Sequence, residues 1–468
     1  MNLKCLVAMI LFGIACGLCA GNVFAQPPDT LIVNYTASTT AVGDDADDPA
    51  IWIHPTMPES SLVIGTDKGT TTDGGLYVWN MDGSLRQFLA IKHPNNVDVR
   101  YGLRVAGKNL DIVAASMRTQ SRIRIFKVDS LTRKLSEITA NQPILVASLP
   151  YGLTMYRRAR DGALYAFVSS KHPDYAKKIQ QVRLWGENDG KVHGKIVREL
   201  GEHEGIIEGM VVDDELGYLY AAEGNIGIHK YYADPAKPVT RIALFANEAT
   251  FKGDRKGLAL YTCADSTGYL LVASPDDQSV KVYPRQGPQN ALHRHALLAV
   301  IRNVTQKYGV GLEVTARATS RKLPRGVMIW HDEKDRKFRL YPWEKVAQNL
   351  LTVCAEESSS TAVANAFKDA SPAQFELAQN YPNPFARERE HQTEIRFRLG
   401  RSGWAELRVY NLLGQPVRTL VQRNMSAGEH RAYWDGRDDS GNVVGNGLYF
   451  YQLRHENFSR MRKMTLLR

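Results

Sequence analysis

Leu62-Val63-Ile64-Gly65, a polar loop through Asp67 and Lys68, then Leu76-Tyr77-Val78-Trp79: this pair of apolar runs decides the fold, because the chain repeats it. The same unit returns as Asp111-Ile112-Val113-Ala114-Ala115 with Ile123-Arg124-Ile125-Phe126, and as Leu164-Tyr165-Ala166-Phe167-Val168 with Val182-Arg183-Leu184-Trp185. Three more follow: Tyr218 to Ala222 with Ile228 to Tyr231, Tyr269 to Ala273 with Val280 to Tyr283, and Gly326 to Trp330 with Phe338 to Tyr341. A strand-built period of about 40–50 residues, with little helical periodicity between units, is the signature of propeller blades. A β-sandwich has hairpins but not this many similar units at this spacing. The expected fold is all-β, a six-bladed β-propeller.

The hairpin loops carry Lys68, Arg118 and Lys171 in the first three units, then Glu223, Asp276 with Asp277, and Asp332. Equivalent propeller loops gather on one face, so that face is expected to be cationic over three blades and acidic over the next three. Mutual neutralisation accounts for any single pair. Segregation by sign suits an anionic ligand held by Lys and Arg beside a carboxylate-bound metal, with phosphate the obvious anion. Upstream, Asp44-Asp45-Ala46-Asp47-Asp48-Pro49 runs directly into the apolar Ala50-Ile51-Trp52-Ile53. Carboxylates at the mouth of a strand suit Ca²⁺, which takes six to eight oxygens; a solvated acidic loop is the plainer alternative.

The chain has 468 residues with a formal charge of +10, 44% hydrophobic and 23% charged, an ordinary globular composition for two or more domains. Residues 1–25 read as a signal peptide: Lys4, an apolar stretch from Leu6 to Leu18, and Val23-Phe24-Ala25 before Gln26. That stretch is shorter than the roughly 20 residues of a membrane span, so no transmembrane segment is expected. Cys5, Cys16 and Cys19 leave with the peptide. Cys263 and Cys354 remain, too few for a disulfide framework, and whether they pair is open.

The propeller is expected over 26–354 and a polar, small-residue linker over 355–373. Residues 374–468 hold 15 Lys and Arg against 10 Asp and Glu. Their period-two strands, such as Thr393-Glu394-Ile395-Arg396-Phe397-Arg398-Leu399, read as a small Ig-like β-sandwich. Arg on exposed strand faces accounts for the basic charge and discourages edge pairing, so no nucleic-acid partner is expected.

Collinear motifs from about Asn34 to Gln348 resemble the β-propeller (alkaline) phytases. They are Asp47-Asp48-Pro49-Ala50-Ile51-Trp52, Asn96-Val97-Asp98-Val99-Arg100-Tyr101, Ala114-Ala115-Ser116-Met117-Arg118, Tyr151-Gly152-Leu153, Glu208-Gly209-Met210, Asp213-Asp214-Glu215, Tyr283-Pro284-Arg285 and Pro342-Trp343-Glu344. The resemblance implies six blades with Ca²⁺ and phosphate on one face. It implies that Lys68, Arg118, Tyr151 and Lys171 contact substrate phosphates. Glu208 belongs with them and also with Asp47, Asp98 and Asp254 in the calcium-bearing cluster, to which Asp48 and Asp332 are added. Calcium would neutralise phosphate oxygens and activate a water for in-line attack, with Lys and Arg stabilising the transition state. Departures fall on the metal set: Lys256 replaces a Glu, Gly224 the second Glu of a pair, Pro275 a Gln, and Lys307 to Glu313 keeps one acid of an Asp-rich loop.

The tail resembles the sorting (Por) domain of type IX secretion substrates, through Asn380-Tyr381-Pro382-Asn383-Pro384-Phe385, Tyr410-Asn411-Leu412-Leu413-Gly414-Gln415, Trp434-Asp435-Gly436-Arg437 and Gly447-Leu448-Tyr449-Phe450-Tyr451. That implies the type IX machinery of a Gram-negative bacterium as a partner, and a secreted or surface-attached product. The expectation is a monomeric, calcium-dependent phosphatase acting on phytate (myo-inositol hexakisphosphate) or other inositol phosphates. A non-catalytic phosphate-binding propeller with a degenerate calcium site is the alternative, and a propeller lactonase or phosphodiesterase a third reading.

Overall fold

The structure, a computed structural model, describes residues 28–69, 74–201, 203–247, 250–303, 309–354, 376–386, 392–399, 402–411, 415–455 and 458–467. The expected signal peptide (1–25) and linker (355–373) lie outside these residues, as do Lys307 and Tyr308. Two compact units divide at Ser358 and Ser359.

In the first unit each expected hairpin supplies the second and third strands of a four-stranded antiparallel blade. The inner strands are Ala46–Trp52, Pro94–Val105, Pro150–Arg157, Ile207–Asp213, Leu258–Thr262 and Leu312–Thr315. Each packs against the next and the last against the first, which closes a ring of six blades. The N-terminal segment joins the ends of that ring. Ala37–Ser38 forms the outermost strand of blade 6, and Asp29–Ile32 adds a parallel fifth strand to blade 5 along Ala299–Arg302.

Both faces of every blade are buried, which is why the strands read as continuous apolar runs instead of alternating ones. Successive residues serve opposite neighbours. Leu62 and Ile64 pack with Val97 and Val113 of blade 2, while Val63 packs with Ile329 and Phe338 of blade 6. An apolar cluster of this kind fills every interface between successive blades. Between blades 5 and 6 the ring of Tyr261 stacks on Trp343 with centroids 4.0 Å apart. Cys263 and Cys354, whose pairing the sequence left open, form a disulfide beside this cluster.

The second unit is an Ig-like sandwich. A three-stranded sheet (Glu376–Leu377, Thr393–Leu399, Gly428–Trp434) faces a five-stranded one (Phe385–Ala386, Phe458–Leu467, Gly447–His455, Gly403–Tyr410, Pro416–Met425). Its core holds Trp434, Tyr451, Phe385, Phe397 and Leu407. Among the described residues, no helix is long and apolar enough to cross a membrane.

Candidate functional site

One end of the propeller axis is built by a repeated irregularity. In blades 1 to 4 the pairing of the inner strand with its neighbour shifts between Ala46 and Pro49, Pro94 and Val97, Pro150 and Leu153, and Ile207 and Met210. The residues inside those shifts are Asp47-Asp48, Asn95-Asn96, Tyr151-Gly152 and Glu208-Gly209. Lys256-Gly257 and Val310-Gly311 stand just before the inner strands of blades 5 and 6.

The glycines follow from the closeness of the next blade. A Cβ on Gly152 would lie 2.2 Å from the carbonyl oxygen of Glu208, and one on Gly209 1.8 Å from that of Lys256. Gly257 meets Val310 in the same way at 2.3 Å, and Gly311 meets Asp47 at 1.9 Å. The remaining links are polar. Asn95 donates Nδ2 to the Tyr151 carbonyl (3.3 Å), and Thr66 donates Oγ1 to the Asn95 carbonyl (2.7 Å). Asp47, Asn95, Tyr151, Glu208, Lys256 and Val310 therefore form a ring around the axis, one from each blade.

Outside this ring stand the residues that follow each second strand. Those strands end at Asp67, Met117, Ser170, Glu223, Ser274 and Asp332. Lys68, Arg118 and Lys171 come next, as expected. Over the other three blades the matching positions are Gly224, Pro275 and Glu333. The expected acidic half of the face is thus corrected. Glu223 and Asp332 lie one residue further inward and are 1% and 3% exposed. Glu223 pairs with His229 Nε2 at 2.6 Å, and Asp332 accepts from Arg339 Nε at 3.0 Å. Asp277 is buried on Lys281 and Ser279. Glu223 and Asp332 are closed inside their blades by one-residue register and Asp277 by its own turn, while Asp276 stays exposed as expected, differences that net charge along a loop does not reveal.

The cationic half does converge. Buried Tyr151 lies beneath two of its members, with the Arg118 guanidinium 4.9 Å and the Lys171 ammonium 5.1 Å from the ring centroid. Arg118 Nη1 also lies 3.4 Å from His93 Nε2, a neighbour that sequence reading missed. Burial, then Arg118, lowers the His93 pKa, which keeps it the neutral acceptor. Ser116 Oγ donates to the Tyr151 carbonyl at 3.0 Å, fixing its backbone. Burial, then the Glu208 carboxylate to which its hydroxyl is bonded, raises the Tyr151 phenol far above the ordinary range and keeps it neutral. Lys171 is lowered by burial and by Arg118. Lys68 donates to Asp47 at 2.8 Å and lies 3.8 Å from Asp45. Burial opposes the Lys68 charge, but these carboxylates outweigh it and raise its pKa. Burial, opposed by Lys68, pushes the Asp47 carboxyl up to about 6. Asp67 accepts the backbone N–H groups of Asp44, Asp45 and Gly69 and so organises the acidic loop without being a ligand itself.

The carboxylates assigned to calcium divide into three places. Asp47, Glu208 and Asp254 are at the face. Lys68 holds Asp47, while Lys256 bonds Glu208 and lies 3.3 Å from Asp254. Asp48 and Asp98 instead line the axial channel, a cavity of about 350 Å³ that also holds Arg100, Asp214 and Glu313. Asp98 is fully engaged there, accepting from Arg100 (2.8 Å), Thr154 Oγ1 (3.0 Å) and the Met155 N–H (2.6 Å). Asp332 is away from both sets, on Arg339. Calcium needs six to eight oxygens whose negative charge is not already matched. Among the described residues no group of three or more Asp, Glu, His or Cys is arranged to hold a metal ion. Among the described residues Asp48 has no cation against it: it accepts the Val97 N–H at 3.1 Å, and burial, then Asp47, raises its pKa well above its ordinary value. As one site the expected six-residue calcium set does not fit: its members lie in three places, and ammonium or guanidinium groups engage five of the six.

The phytase family model matches residues 1–365, and that of the FlgD Ig-like domain matches residues 390–457. A 3-phytase of Bacillus subtilis (strain 168) is 32% identical over 324 residues, 66% of this chain and 82% of that protein. Among solved structures, PorZ, an essential surface component of the type IX secretion system of Porphyromonas gingivalis, overlaps with a TM-score of 0.36 at 12% identity, over 92% of this chain and 53% of that one. This chain thus spans about half the length of PorZ. The β-propeller domain of Cps50 (Swd1) from Myceliophteria thermophila overlaps with a TM-score of 0.38 at 8% identity, over 64% and 83% of the two chains. Overlaps of that size carry no argument about the site. The family match over most of the chain and the similarity to the 3-phytase do: the chain belongs to the phytase family of phosphate ester hydrolases.

Proposed function

We propose that the chain hydrolyses phosphate monoesters of phytate or related inositol phosphates by direct attack of water. The observation that carries this reading is the pairing of Arg118 and Lys171 over the Tyr151 ring, two cations with no carboxylate bonded to them among the described contacts, with Lys68 near enough for its charge to act on Lys171. Arg118 offers a planar fork to two phosphoryl oxygens, while Lys171 and Lys68 act as point charges. Together they would hold the phosphoryl group and oppose the charge that builds on it in the transition state. Glu208, bonded to the Tyr151 hydroxyl and to Lys256, orients both groups at the edge of the phosphate site. Calcium has no step in this scheme, because Lys68, Lys256, Arg100 and Arg339 engage most of the carboxylates assigned to it.

The lysine-bound carboxylates favour a second reading, a propeller that binds inositol phosphates without turning them over. One experiment separates the two: phosphate release from phytate by the purified chain, with calcium and with chelator, beside calorimetry of phytate binding. Release in either condition supports hydrolysis. Binding with no release in both supports the second reading and ends the first.

The Asn380 to Phe385 and Gly447 to Tyr451 motifs carry a further part of the proposal. The C-terminal unit directs export by a type IX route, and the propeller works as a secreted or surface-attached monomer. Fusing residues 374–468 behind a signal peptide and a reporter in a type IX-competent host tests it. Periplasmic retention of the reporter would refute it.

A further inference from the structure

The geometry points to Lys256 as a built-in cation: its ammonium occupies the divalent-ion position between Glu208 and Asp254 and supplies a fourth positive group to the phosphate face. This rests on the reading of that face as a phosphate site. Lys256 holds in blade 5 the ring position that Glu208 holds in blade 4, and the Gly209 contact sets the two backbones against each other. Its ammonium reaches back across the blade boundary to Glu208 while staying 3.3 Å from Asp254. Asp254 is in turn fixed by Asp276, whose Oδ2 accepts the Asp254 N–H at 2.9 Å.

The oxygen supply here is small. Position 224 is a glycine, and a Cβ there would already stand 3.2 Å from Asp254 Oδ1. The ring neighbour on the other side is Val310, which offers no side-chain oxygen. Two carboxylates, with Asp276 behind them held on the Asp254 N–H, fall well short of the six to eight oxygens that calcium takes, but they suit an ammonium with three donors. With two donors on Glu208 and Asp254, the third is left for a phosphoryl oxygen. Lys171 lies within the electrostatic reach of Lys256, Arg118 and Lys68, so the charge of Lys256 is felt at the phosphate face.

The test uses the full-length chain, stripped with chelator and desalted. Inorganic phosphate and phytate are titrated by calorimetry, and bound calcium is counted by elemental analysis after re-equilibration with the ion. The expected result is phosphate binding without calcium, a loss of at least tenfold in calcium-free affinity for Lys256→Gln, and one more bound calcium in Lys256→Glu than in the wild type. Unchanged calcium-free affinity in Lys256→Gln would overturn the inference, as would equal calcium counts in the wild type and Lys256→Glu. If Lys256→Gln melts far below the wild type, Lys256→Glu decides by its calcium count alone. Turnover enters none of these readouts. A chain that binds but does not hydrolyse would refute the proposed function and leave this inference standing; an active chain that fails the calcium count would do the reverse.

Discussion

Replacing Lys68 by Met separates two jobs that one side chain performs. Lys68 neutralises Asp47 at 2.8 Å, and its charge also acts on Lys171 of the cationic group. Asp47 is 3% exposed and the Lys68 side chain 22%. Breaking a fully buried pair costs about 3–5 kcal/mol, because one charge is left without a partner. Here the lysine is partly solvated and Asp47, whose pKa is already about 6, can take up a proton instead. A cost of about 2 kcal/mol at pH 7 is expected for Lys68→Met. Turnover should fall about 10²–10³-fold, the usual loss when one group stabilising transition-state charge is removed. The double variant Lys68→Met with Asp47→Asn removes the orphaned acid. Its stability should return to within about 0.5 kcal/mol of wild type, while turnover stays low. Denaturant unfolding and phosphate release from phytate measure the two quantities. Full recovery of turnover in the double variant would refute the reasoning, since Lys68 would then serve only to neutralise Asp47.

Gly209→Ala places a methyl group 1.8 Å from the Lys256 carbonyl oxygen, and should cost about 1–3 kcal/mol and lower the melting temperature; an unchanged melting temperature would remove the steric basis of the axial ring. In the channel, burial and then Asp98 push the Glu313 carboxyl up to about 8, so the folded chain holds a proton that the unfolded chain releases near 4.5. Stability from this group is therefore present at low pH and lost as pH rises through 8; Glu313→Gln should flatten that decline in melting temperature between pH 5 and pH 9, and parallel profiles would contradict it. Cys354→Ser opens a bond spanning 91 residues and should cost about 3–5 kcal/mol by loop-closure entropy, measurable by denaturant unfolding.

Much of the fold was legible because each blade repeats one strong pattern. Both faces of each second and third strand are buried, so pairs such as Leu62 to Gly65 with Leu76 to Trp79 stand out without an alignment. The closing strands were not legible: Ala37–Ser38 is only two residues long and pairs with Arg339 and Leu340, about 300 residues away in sequence. The cations of the site were legible, since Lys68, Arg118 and Lys171 each follow a strand end directly. The acids were not. Glu223 and Asp332 differ from them by a single residue of register, which turns an exposed loop position into a buried strand end. One signal was available and unread. Tyr151-Gly152-Leu153, Glu208-Gly209-Met210, Lys256-Gly257-Leu258 and Val310-Gly311-Leu312 repeat one pattern of ring residue, glycine and apolar residue. That pattern places Lys256 beside Glu208 on the axis.

The most direct test of the account is phosphate release from phytate by the wild type and by Arg118→Ala in parallel, both confirmed folded by circular dichroism. Release by the wild type and a loss of at least about a hundredfold in Arg118→Ala are expected. Equal rates in the two proteins, or no release by the wild type in calcium or in chelator, would contradict it.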